Sequence, residues 1–186
     1  MYKLSRSTHI KNLINTQKDV FTTSDLAVLW GISNKNTLWT TLKRYTKSGV
    51  LFRIRKGLYS KIALDKIDPY VVACALGGPH SYISTETILQ KAGAIMQYSS
   101  TITVASQKTK TITVGNNTYM LRSFKPEIIL NRTGIADNNG FSEASKERAL
   151  ADLNYINPKY YLDNPKALDS NILMDIKEKV AYNVHA

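Results

Sequence analysis

Hydrophobic positions in the first third of the chain recur at helical spacing. Ile10, Leu13 and Ile14 share one side of a helix over about residues 4–16, leaving Lys3, Arg6 and Lys11 for the other. A second helix, about two turns long, is predicted to start at Thr22-Thr23-Ser24-Asp25. There Thr22 can cap and Asp25 stands three residues on, Leu26 and Leu29 face inward, and Gly31 ends the helix. Asn34 can cap a third helix that runs to about Lys47 and stops at Gly49. Along it Leu38, Leu42 and Tyr45 recur at i, i+4 and i+7; Trp39 lies beside them on the wheel, which predicts a half-buried core aromatic. Two short alternating runs, 50–55 and 58–62, are joined by Lys56-Gly57 and predict a β-hairpin in which Leu51, Phe52, Ile54, Leu58 and Tyr59 pack.

Farther on, Asp68-Pro69 opens a helix that closes at Gly77-Gly78-Pro79. The connection from Ala63 to Asp68 is about six residues, too short for a flexible linker, and predicts two domains, 1–66 and 67–186. Ser84 can cap a helix ending at Gly93, with Ile88 and Leu89 inward. Thr101–Ala105, Lys110–Val114 and Tyr119–Phe124 alternate with period two and predict strands, the last two paired across Gly115-Asn116-Asn117. Glu127–Leu130 is predicted as a fourth strand, Ser145 as the cap of a helix carrying Leu150 and Leu153 and stopped by Pro158, and Ile172, Ile176 and Val180 as marks of a final helix. The predicted class is α+β: an N-terminal helix-and-hairpin unit followed by a mixed α/β domain with an antiparallel sheet.

Composition sharpens this. The 186 residues are 43% hydrophobic and 21% charged, enough for a packed core. The formal net charge is +11, and it is unevenly placed. Thirteen of the 25 Lys and Arg, but three of the 14 Asp and Glu, fall in residues 1–66, a net of +10 against +1 for the remainder. Such crowding raises the local density of polyanions and favours binding through counterion release from phosphates. The plainer account of a charge run is a solubilising surface. Here the order of elements, helix, short helix, turn, longer helix and basic hairpin, is that of a winged helix-turn-helix, in which the longer helix enters the DNA major groove and the wing touches the backbone or minor groove. The predicted DNA-facing residues are Asn36, Thr37, Thr40, Lys43, Arg44 and Lys47 on the helix and Arg53, Arg55 and Lys56 on the wing. A winged helix used for protein contacts is the alternative.

Candidate chemistry elsewhere is sparse. The single cysteine, Cys74, excludes an internal disulfide or a multi-cysteine zinc site and is expected to be an inert buried thiol. No Gly-rich phosphate loop, H-E-x-x-H motif or histidine pair at ligand spacing occurs, so no enzyme activity, cofactor or metal is predicted. His80 reads as a loop residue. Glu143 and Glu147 at i, i+4 read as surface carboxylates on one helix, paired with Lys146, Arg148 or Lys159. The polar start and the lack of an apolar run near 20 residues predict a cytoplasmic protein with no membrane partner.

Three stretches carry a family resemblance. Gly49-Val-Leu-Phe-Arg-Ile-Arg-Lys-Gly57-Leu-Tyr59 resembles the wing of AbiEi-type antitoxins of bacterial type IV toxin-antitoxin systems. Ser81-Tyr-Ile-Ser-Thr-Glu-Thr-Ile-Leu-Gln-Lys-Ala-Gly93 is similar to that family's Ser-rich helix entry, and Ser145-Lys-Glu147-Arg148-Ala149-Leu150-Ala-Asp152 to its Ser/Thr-x-Glu-Arg-Ala-Leu-x-Asp helix. The family often has Pro where this chain has Lys146. The resemblance spans about residues 10–160 and implies a repressor of its own toxin-antitoxin operon, bound to operator repeats in double-stranded DNA and opposing a nucleotidyltransferase-like toxin without obligatorily sequestering it. Two other expectations stay open on the residues alone: a nucleic-acid-processing enzyme with a basic substrate-delivery domain, and a module that binds its partner protein directly.

Overall fold

The computed structural model describes residues 5–180 and Tyr182. The chain divides into two compact units, Met1–Asp68 and Pro69–Ala186.

In the first unit the capping chemistry sets the helices. Ser5 accepts the Thr8 N–H to open α1 (Arg6–Asn15). After β1 (Val20–Thr22), Thr22 and Asp25 form a reciprocal capping box on α2 (Thr23–Trp30), with Thr22 Oγ1 accepting from the Asp25 N–H at 3.1 Å and Asp25 Oδ2 from the Thr22 N–H at 2.8 Å. Gly31 ends α2 in the left-handed region at φ 63°, a conformation that would strain an L side chain. Asn34 then caps α3 (Lys35–Lys47), and β2 (Phe52–Arg55) returns as β3 (Leu58–Ser60) through a turn with Gly57 at φ 84°. The hairpin supplies two strands of a three-stranded sheet of order β1-β3-β2. Strand β1 is a three-residue element absent from the sequence reading; its pairing, Phe21 opposite Tyr59, is with residues almost forty positions away.

Leu13, Phe21, Leu26, Trp30, Leu38, Leu42, Tyr45, Leu51 and Tyr59 form this unit's core. Two aromatics predicted to pack do otherwise. Phe52 is 40% exposed and Trp39 45%. A register shift between Arg53 and Arg55 breaks the strand alternation that would have turned Phe52 inward, and Trp39 sits on the flank of α3, outside the arc of Leu38, Thr41, Leu42 and Tyr45.

The second unit begins with α4 (Pro69–Gly77), β4 (Tyr82–Ile83), α5 (Glu86–Lys91), β5 (Thr101–Ser106), β6 (Lys110–Val114) and β7 (Asn117–Ser123). It continues with α6 (Pro126–Leu130), β8 (Ile135–Asn138), β9 (Phe141–Ala144), α7 (Lys146–Ile156) and α8 (Ser170–Val180). One six-stranded sheet, β6-β7-β5-β4-β9-β8, runs through it. Neighbours are antiparallel at β6/β7, β4/β5 and β8/β9 and parallel at β5/β7 and β4/β9, so the antiparallel hairpins are stitched into a mixed sheet.

In three places the structure differs from the local pattern. Residues 127–130 belong to helix α6, because Pro126 at its first turn sets a helical φ and the three-residue apolar run Ile128–Leu130 has no period of its own. Ser84 does not cap α5; Thr85 holds the cap position at φ 54° without a side-chain cap bond, and the Ser84 hydroxyl donates to Asp152 at 2.6 Å. Glu143 and Glu147 do not share a helix face: Glu143 lies on β9 and pairs with Lys91 at 3.1 Å, whereas Glu147 is buried and accepts the Asp169 N–H at 3.2 Å.

The centre of this unit is an ion pair without solvent. Arg148 and Asp152, one turn apart on α7, are both fully buried, with Arg148 Nε 3.1 Å from Asp152 Oδ1. The remaining guanidinium N–H groups donate to the carbonyls of Asn131 and Thr133 at 3.2 and 2.9 Å, the Ile128 carbonyl at 2.8 Å and Tyr82 Oη at 2.8 Å. Asp152 accepts from Ser84 and from Tyr182 Oη as well. Burial works against the cation, but Asp152 first and then Tyr82 and Tyr182 outweigh it and hold the Arg148 pKa above its ordinary value. Removing one partner of such a pair leaves an uncompensated buried charge. Asp152→Ala is therefore expected to destabilise the C-terminal unit by about 3–5 kcal/mol, and Ser84→Ala by about 1.5–3 kcal/mol, read from urea midpoints of the full chain by far-ultraviolet circular dichroism. An Asp152→Ala loss no larger than that of Ser84→Ala would remove the pair from this role.

Candidate nucleic-acid interface

Helix α3 buries Leu38, Thr41, Leu42 and Tyr45 and turns the opposite arc to solvent. On that arc Asn36, Thr40, Lys43 and Lys47 follow at helical spacing and are exposed, with Arg44 exposed beside them and Thr37 half-buried. The wing presents Arg53 and Lys56 exposed and Arg55 half-buried around the Gly57 turn. The predicted residues thus form two groups, one along a helix face and one at a hairpin tip, both carried by the same hydrophobic core.

The cations of these two groups keep their charge uncompensated within the unit. Among the described residues, none of Lys43, Arg44, Lys47, Arg53, Arg55 and Lys56 pairs with a carboxylate. Two of the unit's acids are engaged elsewhere, Asp25 with Lys18 at 2.7 Å and Asp19 with Lys61 at 3.2 Å. Arg44 instead lies over the Tyr45 ring at 5.5 Å, a cation–π contact that steers the side chain without neutralising it. Thr40 donates its hydroxyl proton to the Asn36 carbonyl at 2.9 Å, so toward a ligand it offers lone pairs and a methyl group. Trp39, on the edge of the same arc and predicted to be a half-buried core aromatic, is a surface aromatic.

What holds α3 in place is an aromatic cluster that sequence reasoning missed. His9 of α1 stacks on Trp30 of α2 with centroids 5.3 Å apart and meets the Tyr45 ring of α3 edge-on at 6.2 Å. His9 Nδ1 and Tyr45 Oη are 3.2 Å apart, and Trp30 Nε1 donates to the His9 carbonyl at 3.1 Å. Polar atoms on an aromatic core carry no periodic signal; the available hint was a histidine at the position one turn before Leu13.

Among the described residues no group of three or more His, Cys, Asp or Glu side chains is placed to hold a metal ion, and no helix is long and apolar enough to cross a membrane. Cys74 is half-buried, with Sγ 3.7 Å from the Ser142 carbonyl.

Burial, and secondarily the Arg44 charge, lowers the His9 pKa below the ordinary 6.5. The folded imidazole therefore binds a proton less readily than the unfolded one, and the stability it contributes is present above pH 6.5 and is lost as pH falls below that value. Both tryptophans, Trp30 and Trp39, belong to the N-terminal unit, so tryptophan fluorescence follows it alone. The urea midpoint read this way is expected to fall between about pH 7.5 and 5.5, with a shallower slope in His9→Gln; an equal slope in the variant would assign the loss to other groups.

No curated protein matches the chain. Among solved structures, the crystal structure of the RV2827C protein from Mycobacterium tuberculosis is similar to it with a TM-score of 0.50 and 12% identity, covering 95% of this chain and 74% of that one, a likeness of fold alone. Residues 10–60, which run from within α1 to the end of the wing, match the family described as "Transcriptional regulator, AbiEi antitoxin". The likeness to the AbiEi antitoxin family of transcriptional regulators thus covers the capped helices and basic wing of the N-terminal unit.

Proposed function

We propose that the chain is a DNA-binding antitoxin that represses its own operon and opposes a nucleotidyltransferase-like toxin, with no catalytic step of its own. The observation that carries the DNA-binding reading is the set of six cationic side chains on α3 and the wing that lack carboxylate partners among the described residues. Such a surface is self-repelling until phosphates supply the missing charge, and counterion release then drives association. The family description of residues 10–60 supports the regulatory and antitoxin roles.

In this reading α3 lies in the major groove. Asn36 can pair bidentately with adenine, Lys43 and Arg44 reach guanine or phosphate, and Thr40 accepts from a base amino group or sets its methyl against thymine. Arg53, Arg55 and Lys56 hold the wing to the adjacent backbone or minor groove. The second unit is the part left to oppose the toxin, and growth rescue on co-expression with the adjacent open reading frame, scored for the whole chain and for each unit, tests that assignment.

Six phosphate contacts predict a logarithmic salt slope of about −5 and about a thousandfold loss of affinity between 50 and 200 mM salt. Arg55→Ala is expected to lower binding alike on operator and scrambled duplexes and to flatten the slope by about one, whereas Asn36→Ala should cost about 1–3 kcal/mol on the operator alone. Fluorescence anisotropy on both duplexes separates these outcomes. Unchanged binding in both variants would show that α3 and the wing are not the contact surface.

A further inference from the structure

On the flank of α3 opposite Trp39, the three helices of the N-terminal unit enclose a cleft of about 320 Å3. Arg6 and His9 come to it from α1, Trp30 from the end of α2, and Thr37, Thr41 and Arg44 from α3. No carboxylate lines it, and neither Arg6 nor Arg44 pairs with one among the described residues. Its polar wall therefore consists of two fixed cations, the Ser5, Thr37 and Thr41 hydroxyls and an imidazole, beside the first turn of α1 that Ser5 caps. The imidazole is the unusual member. His9 is 6% exposed, its Nδ1 is taken by Tyr45 Oη, and its Nε2 is buried with no hydrogen-bond partner. A buried polar atom left unpaired costs roughly 1–3 kcal/mol and calls for a partner.

We propose that this cleft binds a phosphate group carried on a sugar, with the Arg6 and Arg44 guanidinia as its counter-charges and the apolar wall around Trp30 against the sugar carbons. Arg6, Arg44, the Thr41 hydroxyl and the imidazole can donate there, while the Thr37 hydroxyl is directed to Asn34 Oδ1 at 3.4 Å. This donor set suits an anion rich in acceptor oxygens, and the volume exceeds what a bare tetrahedral oxyanion fills. The positive end of the α1 dipole adds to the field. Arg44 belongs both to this cleft and to the exposed arc of α3, so the cleft is continuous with the proposed DNA surface and a backbone phosphodiester beside the segment read by α3 is the source it suits. That choice of source rests on the DNA-binding reading; the phosphate chemistry of the cleft does not.

The test uses the full chain, with the His9 imidazole nitrogens followed by NMR while inorganic phosphate, or a mixed-sequence duplex, is added against chloride at matched ionic strength. A saturable His9 shift with phosphate, weakened about tenfold or more by Arg6→Gln and partly restored by Arg6→Lys, supports the site. If the duplex produces the same shift and displaces phosphate, the source is the DNA backbone. If phosphate stays bound when duplex is added, the source is a free phosphate compound. A His9 signal that neither probe moves in a folded chain, or a shift indifferent to Arg6→Gln, overturns the proposal. Duplex binding by anisotropy with an unmoved His9 overturns the cleft and leaves the regulator reading standing. A phosphate-shifted His9 in a chain that binds no duplex does the reverse.

Discussion

A guanidinium with no exposed surface must find a partner for each of its five N–H groups, and the C-terminal unit is arranged around meeting that demand at Arg148. Its partners come from four places in the chain: Asp152 on the same helix, Tyr82 on β4, Ile128 at α6, and Asn131 and Thr133 in the following loop. One side chain thus fixes the position of α7 against a central strand and closes off the helix that precedes β8. Gly134 lies in the same crowded place, where an added Cβ would stand 3.0 Å from the Arg148 Cβ, so the loop passes close because it has no side chain to intrude. The helix α8 is tied to the network through Glu147, whose carboxylate receives the Asp169 N–H ahead of it.

The same residue type does opposite work in the other unit. Arg53 and Arg44 are exposed, and with Arg55 they have no acid to pair with among the described residues, whereas Arg148 is buried and every donor is used. A partnered arginine is finished as an interaction and can only hold the fold. An unpartnered one retains its charge and its fork of donors for something that is not part of the chain. Concentrating such residues in a small unit builds in repulsion, and the unit withstands it through the apolar and aromatic core of Leu38, Leu42, Trp30 and Tyr45 and through caps that satisfy its helix starts. Cohesion and the proposed DNA contacts thereby fall on opposite arcs of a single helix, α3.

That division explains which features were legible in the sequence. The three N-terminal helices, their caps at Thr22 and Asn34 and the stop at Gly31 depend on residues within a few positions of one another, and local chemistry suffices to find them. The polar arc of α3 follows from the same period. Strands β1 and β4 are three and two residues long and exist only through distant pairing, and the parallel contacts β5/β7 and β4/β9 have no local signature. Asn139-Gly140 does carry hairpin chemistry, with Gly140 at φ 91°, but the flanking strands Ile135–Asn138 and Phe141–Ala144 alternate too weakly to announce themselves. Ser84 has the composition of a cap, yet its hydroxyl goes to a carboxylate 68 positions away. Trp39 sits where a helical wheel is indecisive, and only the placement of neighbouring elements settles which side is wet.

The Ser145–Asp152 stretch shows how a motif can mislead in the other direction. Its Glu147, Arg148 and Asp152 are acid, base and acid at helical spacing, a set that in isolation suggests surface pairing or chemistry. All three are buried, and their hydrogen bonds run to backbone carbonyls, a backbone N–H, hydroxyls and each other. Hydrophobic residues of similar volume could match such a pair in stability. They could not bind the Ile128, Asn131 and Thr133 carbonyls at once, and those bonds orient the chain between α6 and β8. The motif therefore specifies an architecture, and a resemblance in it is a resemblance of fold. The charge proposed to act on DNA lies on α3 and the wing, where the same kinds of side chain have no carboxylate partner among the described residues.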